Sequence, residues 1–328
     1  MTSKARRPGP HEEADVERLR TVEVAGRLNK VSASDFAVEP GAGRTFRHFL
    51  DGLPSVLQAD ALRFVARRMA SAIRSDKAVV WLMGGHVIKT GLSPVVVRMI
   101  ERGGATFLAG NGSVAIHDYE IARWGATSED VEAGLVDGSF GMAEETGREM
   151  NEAIITGAER GMGMGEALGW ALSQRDDLVA PGRSVLLAAY LAGVGCSIHA
   201  AIGAEIIHQH PSADGAAIGE TSMRDFRRLA GYLPALHQGG IVLNVGSAVV
   251  MPEVFLKALA IARNLSDGAP REFDTADFDM IKHYRPRMNV VERPTRTGGG
   301  KGYQITGHHE IMIPLLAWAV EEYLAERA

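Results

Sequence analysis

The chain has 328 residues, 46% of them hydrophobic, and a formal net charge of −5, which suits a globular protein with a sizeable core. The acidic balance gives no electrostatic reason to expect nucleic acid or an anionic membrane surface as a partner. The single cysteine, Cys196, excludes a disulfide within the chain and suits a reducing, cytoplasmic location.

The amino-terminal segment carries Arg6 and Arg7 but no apolar run behind them, so it lacks the hydrophobic region of a secretory signal. We interpret residues 1–30 as a flexible or loosely docked arm and residues 31–328 as one domain. The longest apolar segment, SVLLAAYLAGVGCSIHAAIGAEIIH, contains His199, Glu205 and many small residues. That mixture favours a buried passage of strand, turn and helix over a membrane span.

From about residue 40 onward, two kinds of segment alternate. Short apolar runs that end in glycine predict strands at AVVWLMGG, ATFLAGNG, SVLLAAYLAGVG and GGIVLNVGSAV. Amphipathic runs predict helices at QADALRFVARRMASAIRSD, PVVVRMIERG, SMRDFRRLAGYLPALHQ and MPEVFLKALAIARNL. This alternation predicts an α/β fold with a single doubly wound, mostly parallel sheet and helices on both faces.

The first predicted strand runs directly into titratable residues in WLMGGHVIKTG, and GNGSVAIHDYE follows the second. Neither loop is a G-x-G-x-x-G fingerprint or a phosphate-binding G-x-x-x-x-G-K-[ST] loop. In open parallel sheets, however, ligands bind outside the carboxyl ends of the strands. We therefore predict an active site that is built from the loops after these strands.

Histidines and acids are concentrated at the same kind of place. Seven of the 11 histidines stand at or just beyond apolar runs, accompanied by five acids: His86, His117, His199, His208, His210, His308 and His309, with Asp118, Glu120, Glu205, Glu220 and Glu310. Buried groups of this kind need partners or shifted pKa values, and such groups collect at functional sites. We favour His117 as a general base, with Asp118 fixing its tautomer. The alternative is that Asp118 binds elsewhere, because adjacent residues on an extended chain point apart.

Two other classes of function stay open at this point. The HQHP sequence places His208 and His210 two residues apart, and Glu220 or His199 would complete a metal site for a hydrolase. This spacing matches no standard zinc signature, and we predict no metal. A nucleotide-binding or scaffolding protein without catalysis is the other alternative.

Several of these segments carry a family resemblance. GGHVIKTGLSPVVVRMIERGGATFLAGNGSVAIHDYE resembles the NAD-binding segment of deoxyhypusine synthase, and GNGSVAIHDYE is also similar to a Gly-Asn loop of archaeal NAD-dependent ornithine cyclodeaminases. IHAAIGAEIIHQHP lies where deoxyhypusine synthase has its acidic loop for NAD and amine. GYQITGHHEIMIPLLAWAVEEYL is similar to that family's closing strand and Pro-Leu-Leu helix. The resemblance covers residues 45–325 and implies the NAD-binding fold of that family.

The resemblance implies NAD as the cofactor and a homotetramer with sites shared between paired subunits. It places a set of loop residues against the dinucleotide: Gly85, His86, Lys89, Thr90, Asn111, Gly112, Ser113, Gly203, Asn244, Gly246, Ser247, Gly307, His308 and His309. It also places Glu205 in the loop that contacts a substrate amine, where a desolvated carboxylate would orient an ammonium group.

One departure from the family concerns its imine-forming lysine, which follows Trp-Gly. The corresponding NVVERPTRTGGGKGY has no such tryptophan, and Lys301 is the nearest candidate for a nucleophile, a ligand contact or a lid residue. We therefore predict an NAD-dependent enzyme that transiently oxidises a small amine, amino acid or related polar metabolite, followed by transfer, cyclisation or elimination. The alternative within the family is aminobutyl transfer of the deoxyhypusine or homospermidine synthase type.

Overall fold

The computed structural model describes residues 9–326, so residues 1–8 of the predicted arm lie outside the described residues. One parallel sheet of six strands, in the order β3-β2-β1-β4-β5-β6, forms the centre of this part of the chain. The strands β1 to β6 are Val79–Met83, Phe107–Asn111, Gly195–His199, Ile241–Val245, Asp274–Asp279 and Gly302–Thr306. The predicted α/β class with a doubly wound parallel sheet is confirmed.

Fourteen α-helices surround or connect the strands within residues 9–326. Helices α1 to α14 are Phe46–Gly52, Leu57–Arg74, His86–Lys89, Ser93–Glu101, Gly112–Trp124, Val131–Asp137, Glu144–Glu159, Met164–Ser173, Val185–Ala192, Gly215–Tyr232, Val250–Leu265, Tyr284–Pro286, Arg293–Arg296 and His309–Ala325. Short 3-10 segments are Val16–Arg18, Val24–Gly26, Ala33–Asp35, Pro181–Arg183, Ile206–His208 and Leu233–Leu236, and a π-helix is Arg287–Glu292.

The sheet is covered on both faces, because alternate residues of β1 belong to two different hydrophobic cores. Val79, Trp81 and Met83 belong to a core formed with helices α2, α4 and α14. Val80 and Leu82 belong to the opposite core, formed with α10 and α11. Because every residue of β1 is buried, this strand shows a continuous apolar run instead of a polar alternation.

The third predicted strand is wrong in its position. Most of SVLLAAYLAGVG forms helix α9, and β3 follows at Gly195–His199. Local sequence explains the helix, since the Ser184 hydroxyl accepts the N–H of Leu187 at 3.0 Å and Gly193 ends the helix with a φ of 66°. A capped start and a left-handed glycine at the end are typical of a helix, and the apolar run alone did not reveal them.

The other predicted elements agree with the structure in type. Strands β1, β2 and β4 lie within the predicted apolar runs, and α2, α4, α10 and α11 overlap the four predicted helices. Strand β5 was missed because its sequence, DTADFD, contains three aspartates. No helix within residues 9–326 is long and apolar enough to cross a bilayer. The loosely docked arm over residues 1–30 stays a prediction.

Candidate active site at the carboxyl edge of the sheet

The strand order changes direction between β1 and β4, and the loops that follow these two strands meet there. The N–H of Gly84 donates to the carbonyl oxygen of Val245 at 2.9 Å. A Cβ atom at Gly84 would overlap the carbonyl group of Gly246, which itself has a φ of 65°. The two strand ends thus approach each other through backbone atoms alone, at the place where doubly wound folds bind ligands.

Further contacts continue from this point along the carboxyl edge toward β3. A Cβ atom at Gly85 would lie 2.5 Å from the Ser113 hydroxyl oxygen, and one at Gly112 would overlap the Glu205 carboxyl group. The Ser113 hydroxyl donates to the Asn111 side-chain oxygen at 2.9 Å. The structure therefore brings together the predicted residues of the loops after β1, β2 and β3.

Two predicted histidines meet beside this row of loops. The rings of His86 and His309 pack edge to face with their centroids 5.3 Å apart. The Nε2 of His309 lies 3.1 Å from the carbonyl oxygen of Phe278, a group that only accepts, so Nε2 carries the proton. Within the described residues, Nδ1 of His309 is buried without a hydrogen-bond partner. Burial lowers the pKa of His309, which leaves a neutral imidazole with a free lone pair.

Three polar side chains form a second cluster, and they lie side by side on the adjacent strands β4, β5 and β6. Asn244 donates through Nδ2 to the Asp277 carboxylate at 2.8 Å and to the Ser247 carbonyl oxygen at 3.0 Å. Gln304 donates to the other oxygen of Asp277 at 3.0 Å. Burial raises the pKa of Asp277 to about 6, although both hydrogen bonds oppose the shift. This cluster fixes the loop after β4, and Asn244 Oδ1 has no partner among the described residues.

Asp277 and Gln304 were not among the predicted site residues. The available signal was DTADFDM, in which Asp277 and Asp279 are separated by one aromatic residue. That spacing puts both carboxylates on the same face of a strand, and buried carboxylates need partners. Asp279 is also buried, and its carbonyl oxygen accepts the N–H of the predicted residue Gly307 at 3.0 Å.

His117 lies on helix α5 and has a partner other than the predicted one. Its Nδ1 contacts the Thr127 hydroxyl at 2.7 Å, and that hydroxyl donates to Glu120 at 2.5 Å. Nδ1 therefore carries the proton, which leaves Nε2 as the acceptor of the neutral ring. Burial lowers the pKa of His117, Glu120 opposes the shift, and the charge of Lys89 adds to it.

The predicted pairing of Asp118 with His117 requires a correction. Asp118 is buried, and it accepts hydrogen bonds from the Ser184 hydroxyl at 2.6 Å and from the N–H groups of Val185 and Leu186. These donors form the start of helix α9, which favours a negative charge. Neighbouring residues of a helix point in different directions, so Asp118 stabilises α9 while His117 faces Thr127.

Glu205 occupies the amino-terminal end of helix α5. Its carboxylate accepts the N–H of Ala201 at 2.8 Å and a backbone hydrogen bond from Gly112. His208 Nε2 lies 3.1 Å from the other carboxylate oxygen. Burial raises the pKa of Glu205 against these backbone hydrogen bonds. Gly203, in the same loop, has a φ of 84°. The charge of this carboxylate favours a cation over a phosphate at this part of the edge.

The remaining predicted residues divide between two ends of the sheet. Lys89 is exposed at the end of α3, and the Thr90 hydroxyl donates to the carbonyl oxygen of His86 at 2.8 Å. His308 is exposed before α14. Lys301 directly precedes β6, so it lies at the amino edge, opposite to the other predicted site residues.

The two histidines of HQHP contact side chains that do not form a metal site with them. His210 contacts the Ser212 hydroxyl at 2.7 Å and Glu144 at 3.1 Å, whereas His208 lies beside Glu205. Within residues 9–326, no group of three or more His, Cys, Asp or Glu side chains has a geometry that could hold a metal ion.

No model of a known protein family matches the sequence, and no curated protein matches it either. Among solved structures, a mutant of AgrE in binary complex with L-arginine has a TM-score of 0.51 at 12% identity, over 81% of this chain and 32% of that chain. AgrE in ternary complex with ornithine and NAD+ has a TM-score of 0.49 at 15% identity, over 81% and 34%. A candidate deoxyhypusine synthase from Entamoeba histolytica has a TM-score of 0.49 at 10% identity, over 84% and 93%.

These neighbours concern the fold, because identities of 10% to 15% carry no statement about chemistry. This chain spans about a third of the length of AgrE, at 32% and 34% of the two AgrE chains. The neighbours of this fold include a candidate deoxyhypusine synthase, and the likeness is one of fold alone.

Proposed function

We propose that the protein is an NAD-dependent enzyme that transiently oxidises a small amine, amino acid or related polar metabolite at the carboxyl edge of its sheet. The observation that carries the proposal is the free Nδ1 of neutral His309, buried beside Gly246 at the switch point between β1 and β4. A group that accepts a proton and a backbone that lets a ligand approach closely are both required for such a reaction.

The residues present fit a dinucleotide at this edge. Asn244 Oδ1 is a buried acceptor without a partner among the described residues, and carboxamide and ribose groups supply donors to such an atom. Gly85, His86 and Ser113 would line the cofactor on the β1 side. When bound there, NAD would accept a hydride from the substrate carbon.

Side chains of the protein would accept the proton and bind the charged group of the substrate. Oxidation of an amine or alcohol carbon to an imine or carbonyl releases a hydride and a proton, and His309 Nδ1 would take the proton. The Asn244–Asp277–Gln304 cluster would hold the loop after β4 in place, and Glu205 would attract the substrate ammonium. Transfer, cyclisation or elimination would follow from the oxidised carbon.

Aminobutyl transfer through Lys301 is less well supported. Lys301 precedes β6 at the amino edge, whereas His309 follows the same strand at the carboxyl edge. The five residues of β6 span about 15 Å at the usual rise per residue. A lysine at that distance would not reach an imine carbon beside His309 in the same protomer. A homotetramer and a cytoplasmic location remain parts of the proposal.

The first test concerns the cofactor. Calorimetric titration of the full chain with NAD, NADP and ATP should show saturable binding of NAD and weaker binding of the other two nucleotides. The same titration with His309→Gln should leave NAD affinity within a few-fold, because His309 Nδ1 is assigned to the substrate proton and Asn244 Oδ1 to the cofactor. A protein that binds none of the three nucleotides would contradict the proposed function.

The second test concerns Glu205 and the substrate. Glu205→Gln should weaken binding of an amine such as L-ornithine by about 2–5 kcal/mol, the usual loss for one charged partner in a desolvated pair. NAD affinity should change by no more than a few-fold. Glu220→Gln removes an exposed glutamate and serves as the matched control. Unchanged amine affinity in Glu205→Gln would leave Glu205 with only its structural role at the start of α5.

A further inference from the structure

A cavity of about 710 Å³ lies at the amino edge of the sheet, away from the proposed active site. Its wall is formed by the end of helix α2 and by the segments that precede β1, β4, β5 and β6, including Arg68, Lys77, Glu272 and Lys301. Each of these four segments leads into a strand, so the cavity opens where the strands begin. The proposed function does not use it.

Positively charged side chains outnumber negatively charged ones in the lining of this cavity. The lining contains three cations, Arg68, Lys77 and Lys301, and two carboxylates. One carboxylate, Asp274, already has a partner on each oxygen: one oxygen is paired with Arg68 Nε, and the other accepts the backbone N–H of Lys301 at 2.8 Å. Arg68 has further N–H donors on its outer edge. Glu272 is thus the one other carboxylate of the lining, which also contains two lysines.

The neighbouring contacts hold the cations at the wall. The ammonium of Lys301 lies 5.3 Å from the centre of the Phe64 ring, which supports a cation by its π face. Lys77 donates to the carbonyl oxygen of His237 at 3.3 Å. The hydroxyl groups of Ser71 and Ser75 add donors to the lining. Together these groups present hydrogen-bond donors and positive charge to one open cleft.

The backbone around the cavity is held in uncommon conformations. Gln238 and Glu272 have φ values of 58° and 57°, and Asp76, beside the lining residue Lys77, has a φ of 50°. They are three of the six non-glycine residues with positive φ in residues 9–326. Residues with long side chains, such as Gln and Glu, rarely adopt a backbone conformation with positive φ. Backbone strain of this kind is retained where a fold positions groups for a ligand.

We propose that this cavity binds a small organic anion that carries a phosphate or carboxylate group, as a second ligand site of the protein. The volume is that of a metabolite-sized ligand, since such pockets usually measure about 300–1,000 Å³. Lys301, Lys77 and the outer edge of Arg68 would bind the anionic group. Phe64 would contact the carbon skeleton. The proposal does not depend on NAD binding at the opposite edge.

Calorimetry with two probes tests this site. The full chain is titrated at low ionic strength with inorganic pyrophosphate and, separately, with citrate, which distinguishes a phosphate site from a carboxylate site. We expect saturable binding of at least one probe at one site per chain, and weaker binding in added NaCl, because salt screens exposed charges. Lys301→Glu should weaken that binding by at least about tenfold.

Lys30→Glu is the matched control, because it makes the same change of charge at an exposed position of the arm. Arg68 is left intact, since its removal would leave buried Asp274 unpaired. Lys301 is exposed, so its variant should unfold at the wild-type urea midpoint, and NAD affinity should be unchanged. The proposal is overturned by absence of saturable binding of both probes, by equal weakening in Lys30→Glu and Lys301→Glu, or by competition between the bound probe and NAD.

Discussion

Gly84→Ala is expected to lower the free energy of unfolding by more than about 3 kcal/mol and to abolish NAD binding. A Cβ atom at this position would overlap the carbonyl group of Gly246 and lie 3.3 Å from the backbone nitrogen of Ser247. These neighbours are backbone atoms that cannot rotate away. Moving them would require β1 and β4 to separate, although the two strands are paired along their whole length.

Gly219→Ala is the matched control for this substitution. Gly219 lies within helix α10, and a Cβ atom there would meet open space. Alanine is favoured over glycine inside a helix, so this variant should be up to about 1 kcal/mol more stable than the wild type. Urea unfolding and calorimetry with NAD measure both effects. Wild-type stability and NAD affinity in Gly84→Ala would contradict the close approach of the two strand ends.

Asp277→Asn is expected to change the dependence of stability on pH. Burial raises the pKa of Asp277 from an ordinary 3.8 to about 6 in the folded protein. Between these values the folded state binds the proton more tightly than the unfolded state, so the free energy of unfolding falls as pH rises. A shift of about two pKa units corresponds to about 3 kcal/mol. This contribution is fully present below about pH 4 and lost above the folded pKa.

Asparagine cannot titrate, so Asp277→Asn should lack this part of the pH dependence. Relative to the wild type, the variant should be more stable at pH 7.5 than at pH 4 by about 3 kcal/mol. Asp118 and Asp225, whose pKa values burial also raises, are present in both proteins and cancel in the difference. Asp60→Asn, at an exposed position of α2, is the control. Parallel pH profiles of wild type and Asp277→Asn would contradict an unfavourable ionisation of the buried carboxylate.

The fold class followed from local patterns that the chain expresses strongly. Buried parallel strands such as β1 are apolar throughout, and helices such as α2 repeat apolar residues every three or four positions. Both patterns depend on residues that are close in sequence. Strand β5 lacks such a pattern: Asp277 obtains its partners from β4 and β6, Asp274 pairs with Arg68, and Asp279 accepts the N–H of Met280.

The sequence by itself determined that glycines and histidines gather at strand ends, because strand ends are recognisable where an apolar run meets glycine. The predicted, mostly parallel sheet also placed Gly85 and Gly112 after strands at one edge, and the family resemblance placed His309 there. Only the tertiary structure decided which side chains meet. Asp118 accepts hydrogen bonds from the start of α9 instead of pairing with His117. Asp277 accepts hydrogen bonds from Asn244 and Gln304.

The same distinction applies to Lys301. Its glycine-rich surroundings are equally compatible with either end of a strand, and the structure places it before β6, beside Phe64 and Asp274. Hydrogen bonds between strands join residues far apart in the chain, and their partners depend on the order of strands in the sheet. That order, β3-β2-β1-β4-β5-β6, results from packing of helices on both faces, which no short stretch of sequence specifies.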